Sequence, residues 1–319
     1  MYIINVRAWG LASEVEELVT MITIPDLKGN EGQVLYILGN GFDLCHELPT
    51  RYSDFCDWLE HHGERDFVNL MEKIFPLENG VHTRWCNFEN ALGMCDVDLI
   101  YNDFYETPVN ILADNAVELA VQNVVDIVST TTAKIRPLMK EWINSIIIPS
   151  DASSQRFLLN KDDWFLNFNY TSTVENLYGI PNEHVCHIHG SVDSYNELIT
   201  GHDKVLDDSH YFDTIDIVDV AKKKIVSFLN GLKKKQAYHY ENCNSFFLSL
   251  PKITDVVVIG HSLDSTDKYY FNKISSIIAE DARWHFSVYQ PIDHHRISRF
   301  KKILPFLQNV NVWEFPLNP

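Results

Sequence analysis

The sequence predicts a doubly wound, mostly parallel α/β sheet that carries a helical insertion. Three observations predict it. Short apolar runs such as VLYIL, WFLNF and DVVVI stop abruptly at glycine or polar turn motifs. Amphipathic helical stretches alternate with those runs, the signature of strand–helix–strand units. The stretch from about 55 to 150 is helical throughout and far longer than an ordinary crossover.

Taken in order, Ala8, Leu11, Val15, Leu18 and Ile22 recur at helical spacing, so residues 1–30 read as an amphipathic helical extension. The α/β domain then runs from 31 to 319. Its first strand, Val34–Leu38, is apolar on both faces and enters the turn Gly39-Asn40-Gly41. Phe55, Trp58 and Leu59 share a helical face, and NILADNAVELAVQNVVDIVSTTTAKIRPLMKEWINSII reads as long helices, with Pro137 marking a bend or an early turn. Strands are expected at WFLNFNYTS (164–172) and HVCHIHGS (184–191), the latter with His187 and His189 on one face by the period of two. Residues 193–250 are polar and interrupted, a second excursion whose lysine runs at 222–224 and 233–235 read as solvated helix faces. DVVVIGHSL (255–263), HFSVYQ (285–290) and VNVWEF (310–315) complete the strands, with helices DKYYFNKISSIIAE and ISRFKKILPFL between them.

Composition narrows the function. With 319 residues, 45% of them hydrophobic, the chain has ample material for a core. A net charge of −18 opposes a nonspecific grip on nucleic-acid phosphate, but leaves room for an anionic cofactor held locally by backbone amides. Cys45, Cys56, Cys86, Cys95, Cys186 and Cys243 form no CxxC pair, so neither a zinc ribbon nor a disulfide framework is expected. Reduced thiols and the lack of a leader pattern point to the cytoplasm, and no apolar run approaches a membrane span. No metal is expected, because no carboxylate at suitable spacing completes the His187/His189 pair.

Four motifs end strands: GNGFD, NFNYT, HIHGS and GHSLDSTD. In a doubly wound fold they converge on one crevice beyond the carboxyl ends. GNGFD is not a dinucleotide fingerprint, since Leu44 holds the third glycine position, and it lacks the Lys-Ser/Thr of a P-loop. The order of the motifs resembles the sirtuin-like superfamily of NAD-binding proteins, which carry GAGxS, a proline ten residues past its first glycine, a strand-end asparagine, a His-Gly pair and a Gly-x-Ser-Leu turn. Gly39, Gly41 and Pro49, then Asn169, His189-Gly190, and Gly260, Ser262 and Leu263 match in that order. The wording GNGFDLxHxLPTxYxDF, WxNFEN (85–90), FNYTxTxE and IGHSLxxxD looks closer still to the AbiH family of bacteriophage abortive infection proteins, over about 35–315.

That resemblance implies a Rossmann-like, sirtuin-like sheet, a cytoplasmic defence role, and NAD or a related ADP-ribosyl nucleotide as ligand. Asn169 and His189 would be catalytic. Gly39, Asn40, Gly41, Phe42, Asp43, Pro49, Thr50, Gly190, Gly260, Ser262 and Asp267 would contact the cofactor. Glu89, Asn87 and Thr171 would stand behind them. Thr171 replaces the sirtuin aspartate, Asp43 replaces the serine, and the four zinc cysteines are missing, so protein deacylation is not expected. Cleavage of the nicotinamide–ribose bond is. An asparagine amide both donates and accepts, fixing a ribose hydroxyl and a water, while a histidine takes a proton near neutral pH. Asp43 and Asp267, at expected helix starts, are read equally as dipole caps or ribose contacts. The alternative is a noncatalytic nucleotide-sensing module that signals to a partner protein. A phage-derived trigger and self-association are compatible with both.

Overall fold

The structure is a computed structural model that describes residues 21–317 apart from 23, 25–26, 28–30, 82, 108–114, 194–197, 212–215 and 309–311. The helix expected over the first residues lies outside that range. Ile22, the last of its apolar set, forms a parallel bridge to Phe157.

Strands β1 (Val34–Leu38), β2 (Trp164–Asn167), β3 (Val185–His187), β4 (Asp255–Ile259), β5 (Arg283–Val288) and β6 (Val312–Pro316) form one sheet in the order β3-β2-β1-β4-β5-β6. Every pairing is parallel. The chain builds outward from β1 to β3, then crosses back and builds outward from β4 to β6. The order therefore reverses between β1 and β4, which is where such sheets open a crevice.

Period-two alternation divides the central strands between two cores. Leu35, Ile37, Val256 and Val258 face one side, while Val34, Tyr36, Leu38, Val257 and Ile259 face the other. The strands read as continuous apolar runs because both faces are covered. The helices are α1 (Asn40–Cys45), α2 (Tyr52–His61), α3 (Arg65–Ile74), α4 (Phe88–Leu92), α5 (Val97–Phe104), α6 (Ala116–Asn144), α7 (Thr173–Tyr178), α8 (Ile217–Asn230), α9 (Gln236–Asn242), α10 (Asn244–Ser249), α11 (Lys268–Ile277) and α12 (Pro291–Ile303).

Helices α2 to α6, all between β1 and β2, share a third core with α8 of the second excursion. Val121, Val124, Val128 and Ile135 of α6 are buried there with Ala221, Ile225 and Leu229 of α8. The two excursions thus cover the sheet's open end as one packed unit. Helix α6 runs from Ala116 to Asn144 with Pro137 inside it. No described helix is long and apolar enough to cross a membrane.

Candidate functional site

A cavity of about 440 Å³ opens at the carboxyl ends of β1, β2 and β4, between the sheet and the helical cover. Each strand delivers its residue by ending early. Strand β2 stops at Asn167, whose Oδ1 accepts from the Asn169 amide at 2.9 Å and bends the chain out of the sheet. Asn169 then lines the cavity, its Nδ2 donating to the Gly39 carbonyl at 3.1 Å. One amide hydrogen and the side-chain oxygen remain for a ligand. His187, the last residue of β3, holds this bend from behind. Its Nδ1 lies 3.0 Å from the Asn169 carbonyl and its Nε2 2.6 Å from Glu175 Oε1. Burial works against its charge, but Glu175 outweighs that and raises its pKa; the carbonyl only accepts, so Nδ1 donates to it.

His189 does not share a strand face with His187, because β3 ends first and a turn carries His189 into the cavity. Its side chain is 5% exposed. It hydrogen-bonds the Phe168 carbonyl, while Nε2 has no partner. A carbonyl only accepts, so Nδ1 carries the proton and Nε2 presents its lone pair. Burial, then Lys234, His261 and His239, hold its pKa well below the ordinary histidine value. Asp267 faces it: Oδ1 lies 3.6 Å from His189 Nε2, and Oδ2 3.5 Å from His261 Nε2. His261 Nδ1 accepts from the Leu263 amide at 3.0 Å, leaving Nε2–H aimed at the carboxylate. Asp267 is the N-cap of α11, yet its side chain makes no capping hydrogen bond, and Oδ1 is buried without a partner. Burial raises its pKa against the pull of Lys234.

Lys234 corrects the reading of the 233–235 run as solvated. The run lies past the end of α8, where Lys233 bridges to His202 and Leu232 and Lys234 are buried on either side of it. The Lys234 amide donates to the His202 carbonyl at 2.8 Å. Its side chain is 0% exposed, and Nζ sits 2.9 Å from both carboxylate oxygens of Glu89, which is 21% exposed. Burial opposes the Lys234 charge, but Glu89 and Asp267 outweigh it and raise its pKa. Glu89 lines the cavity beside Tyr52 and Tyr170. Asn87 also lines it, though its amide is engaged by the Glu78 N–H and the Pro76 carbonyl, each at 3.0 Å.

Gly39 and Gly41, expected as cofactor contacts, are required first by backbone packing. A Cβ on Gly41 would lie 2.5 Å from Gly260 Cα, and one on Gly39 2.5 Å from His261 Cα. Gly260, at φ +61°, would in turn strike Gly41. The turns after β1 and β4 interlock backbone to backbone. The amides of Gly39, Gly41 and Phe42 donate to the carbonyls of Ile259, Gly260 and Gly39 at 2.8–2.9 Å. Those three donors are thereby closed to a phosphate. A valine at position 41 would break this packing whatever the ligand. Among the lining residues the cationic side chains are Arg51 and Arg296.

Of the other expected contacts, Asn40, Asp43, Thr50, Ser262 and Thr171 line the cavity. Asp43 is buried, and Thr171 Oγ1 donates to its Oδ2 at 2.6 Å, so the threonine serves the carboxylate directly. Burial, partly offset by the Thr171 and Thr173 hydroxyls, raises the Asp43 pKa to about 6. Phe42 packs beneath the turn against Phe157, 5.3 Å between ring centres. Phe42, Pro49 and Gly190 do not line the cavity. The described residues hold no cluster of three metal-ligating side chains, and all six cysteines are free.

Fold and site define a doubly wound α/β protein with a buried polar cavity at its topological switch point, where an asparagine, a histidine and a carboxylate meet. The family model for bacteriophage abortive infection AbiH matches residues 35–288, and the chain belongs to that family. No curated protein and no solved structure matches it.

Proposed function

We propose that this AbiH protein binds NAD or a related ADP-ribosyl nucleotide in the cavity and hydrolyses its nicotinamide–ribose bond. One observation carries the reading: His189 Nε2, in the turn after β3, is buried without a hydrogen-bond partner in the cavity that Asn169 also lines. An unprotonated imidazole held in that state is the form a general base requires. Asn169 positions a ribose hydroxyl and the attacking water, and His189 takes the proton. The diphosphate lies in the cavity, with Arg51 and Arg296 as the cationic side chains of its lining. The order of strand-end motifs, similar to that of sirtuin-like proteins, supports the same ligand class.

Incubating the protein with NAD and resolving the products by chromatography tests the proposal. Equimolar nicotinamide and ADP-ribose are expected. Tight NAD binding with no release would favour the nucleotide-sensing alternative, and neither binding nor release would remove the nucleotide from the account.

A further inference from the structure

The cavity contains an arrangement that the catalytic pair alone does not explain. His189 Nε2 and Asp267 Oδ1 face each other 3.6 Å apart, a separation too long for a hydrogen bond, and no other group hydrogen-bonds either atom. Both side chains are more than nine-tenths buried. Two buried polar atoms left without a hydrogen bond are costly, and a fold keeps such a pair where something else completes it. The completing group must offer hydrogens to both sides, as a sugar hydroxyl together with a water does.

Charge sharpens the point. Glu89 and Lys234 form a bidentate pair, and burial lowers the pKa of both His189 and His261. Lys234 Nζ contacts Glu89 at 2.9 Å, whereas Asp267 faces the two imidazoles, and its Oδ1 has no hydrogen-bond partner. Asp264, which accepts from Asn90 Nδ2 at 3.4 Å, lies further along the same wall. A fixed, buried anion stabilises positive charge that develops beside it.

We propose that Asp267 is a catalytic residue, the anion that stabilises the ribosyl cation as the glycosidic bond breaks. The assignment rests on the reading of the cavity as a site of nicotinamide–ribose cleavage. The bond from the ribose carbon to nitrogen breaks, and its electron pair leaves with neutral nicotinamide. The ribose carbon becomes cationic within reach of the Asp267 carboxylate. Water adds to that carbon and its proton passes to His189 Nε2, then to solvent. The balance is one NAD and one water to ADP-ribose, nicotinamide and a proton. Asp267 thus supplies a carboxylate from beyond β4, where Thr171 beyond β2 offers none.

Asp267→Asn tests this, because it keeps shape while removing the charge. Its new amide can donate to the His189 lone pair, so melting temperature is expected to hold or rise. Nicotinamide release should fall by ~10²–10³, the range for removing one preorganised electrostatic group, while ADP-ribose affinity measured by calorimetry stays within about threefold. Wild-type release with an equally active Asp267→Asn variant overturns the assignment and leaves the function standing. A lower melting temperature in the variant marks Asp267 as a structural residue and also overturns it. A wild type that neither binds ADP-ribose nor releases nicotinamide overturns the function and the assignment together.

Discussion

His46 and His189 are both buried, and their surroundings separate a structural histidine from one left open. His46 donates through Nδ1 to the Phe42 carbonyl at 2.7 Å and accepts at Nε2 from the Tyr178 hydroxyl at 2.7 Å. That hydroxyl accepts in turn from the amides of Arg156 and Phe157. Both ring nitrogens of His46 are engaged, whereas His189 keeps one lone pair exposed only to the cavity. Burial, with Arg156 adding to it, lowers the His46 pKa to about 4 from the ordinary 6.5. Between those values the unfolded chain binds the extra proton, so stability is full above about 6.5 and is lost as pH falls toward about 4. His46→Leu should flatten the acid side of a plot of unfolding free energy against pH by up to one proton, while lowering stability at neutral pH through the lost hydrogen bonds. Urea unfolding at several pH values between 4 and 7 measures the slope. An unchanged slope would contradict the account of His46.

At the scale of elements, the apolar strands were legible because burial on both faces writes itself into consecutive residues. Their ends were not. WFLNFNYTS and HVCHIHGS read as strands of nine and eight residues, but β2 stops at Asn167 and β3 at His187. The polar residues beyond those points bend away to form the site, guided by side-chain bonds such as Asn167 to the Asn169 amide. Lys234 was illegible for a related reason. Its burial depends on Glu89, which is 145 positions away, and nothing local in a lysine run announces that partner. The available signal was the inward alternation of Leu232 and Lys234 after α8 ends. Lys234→Met should leave the Glu89 carboxylate without its counter-charge and destabilise the fold by about 3 kcal/mol. Replacing the pair together, with Glu89→Leu added, should recover much of that loss. Chemical denaturation of the two variants checks it, and additive losses would contradict the pairing.

Across the whole molecule, the site exists because three bodies meet: a sheet whose order reverses between β1 and β4, a helical insertion, and a second excursion sharing the insertion's core. The sheet class and the convergence of four strand-end motifs were visible in the sequence. The joining of the two excursions was not, since α6 and α8 each show only one apolar stripe and neither names its partner. The glycines were visible too, but the sequence did not show that Gly39 and Gly41 are required by the backbone of Gly260 and His261. The insertion brings Glu89 and Asn87, the sheet brings Asn169, His189 and Asp267, and the excursion brings Lys234 behind them. Distance along the chain thus separates groups that a single cavity unites.

The account is tested most directly by nicotinamide release from NAD, measured side by side for the wild type and His189→Ala in preparations of matched ADP-ribose affinity. It predicts release by the wild type and a rate ~10²–10⁴ lower in the variant, the usual contribution of a general base. Equal rates in the two proteins would contradict it.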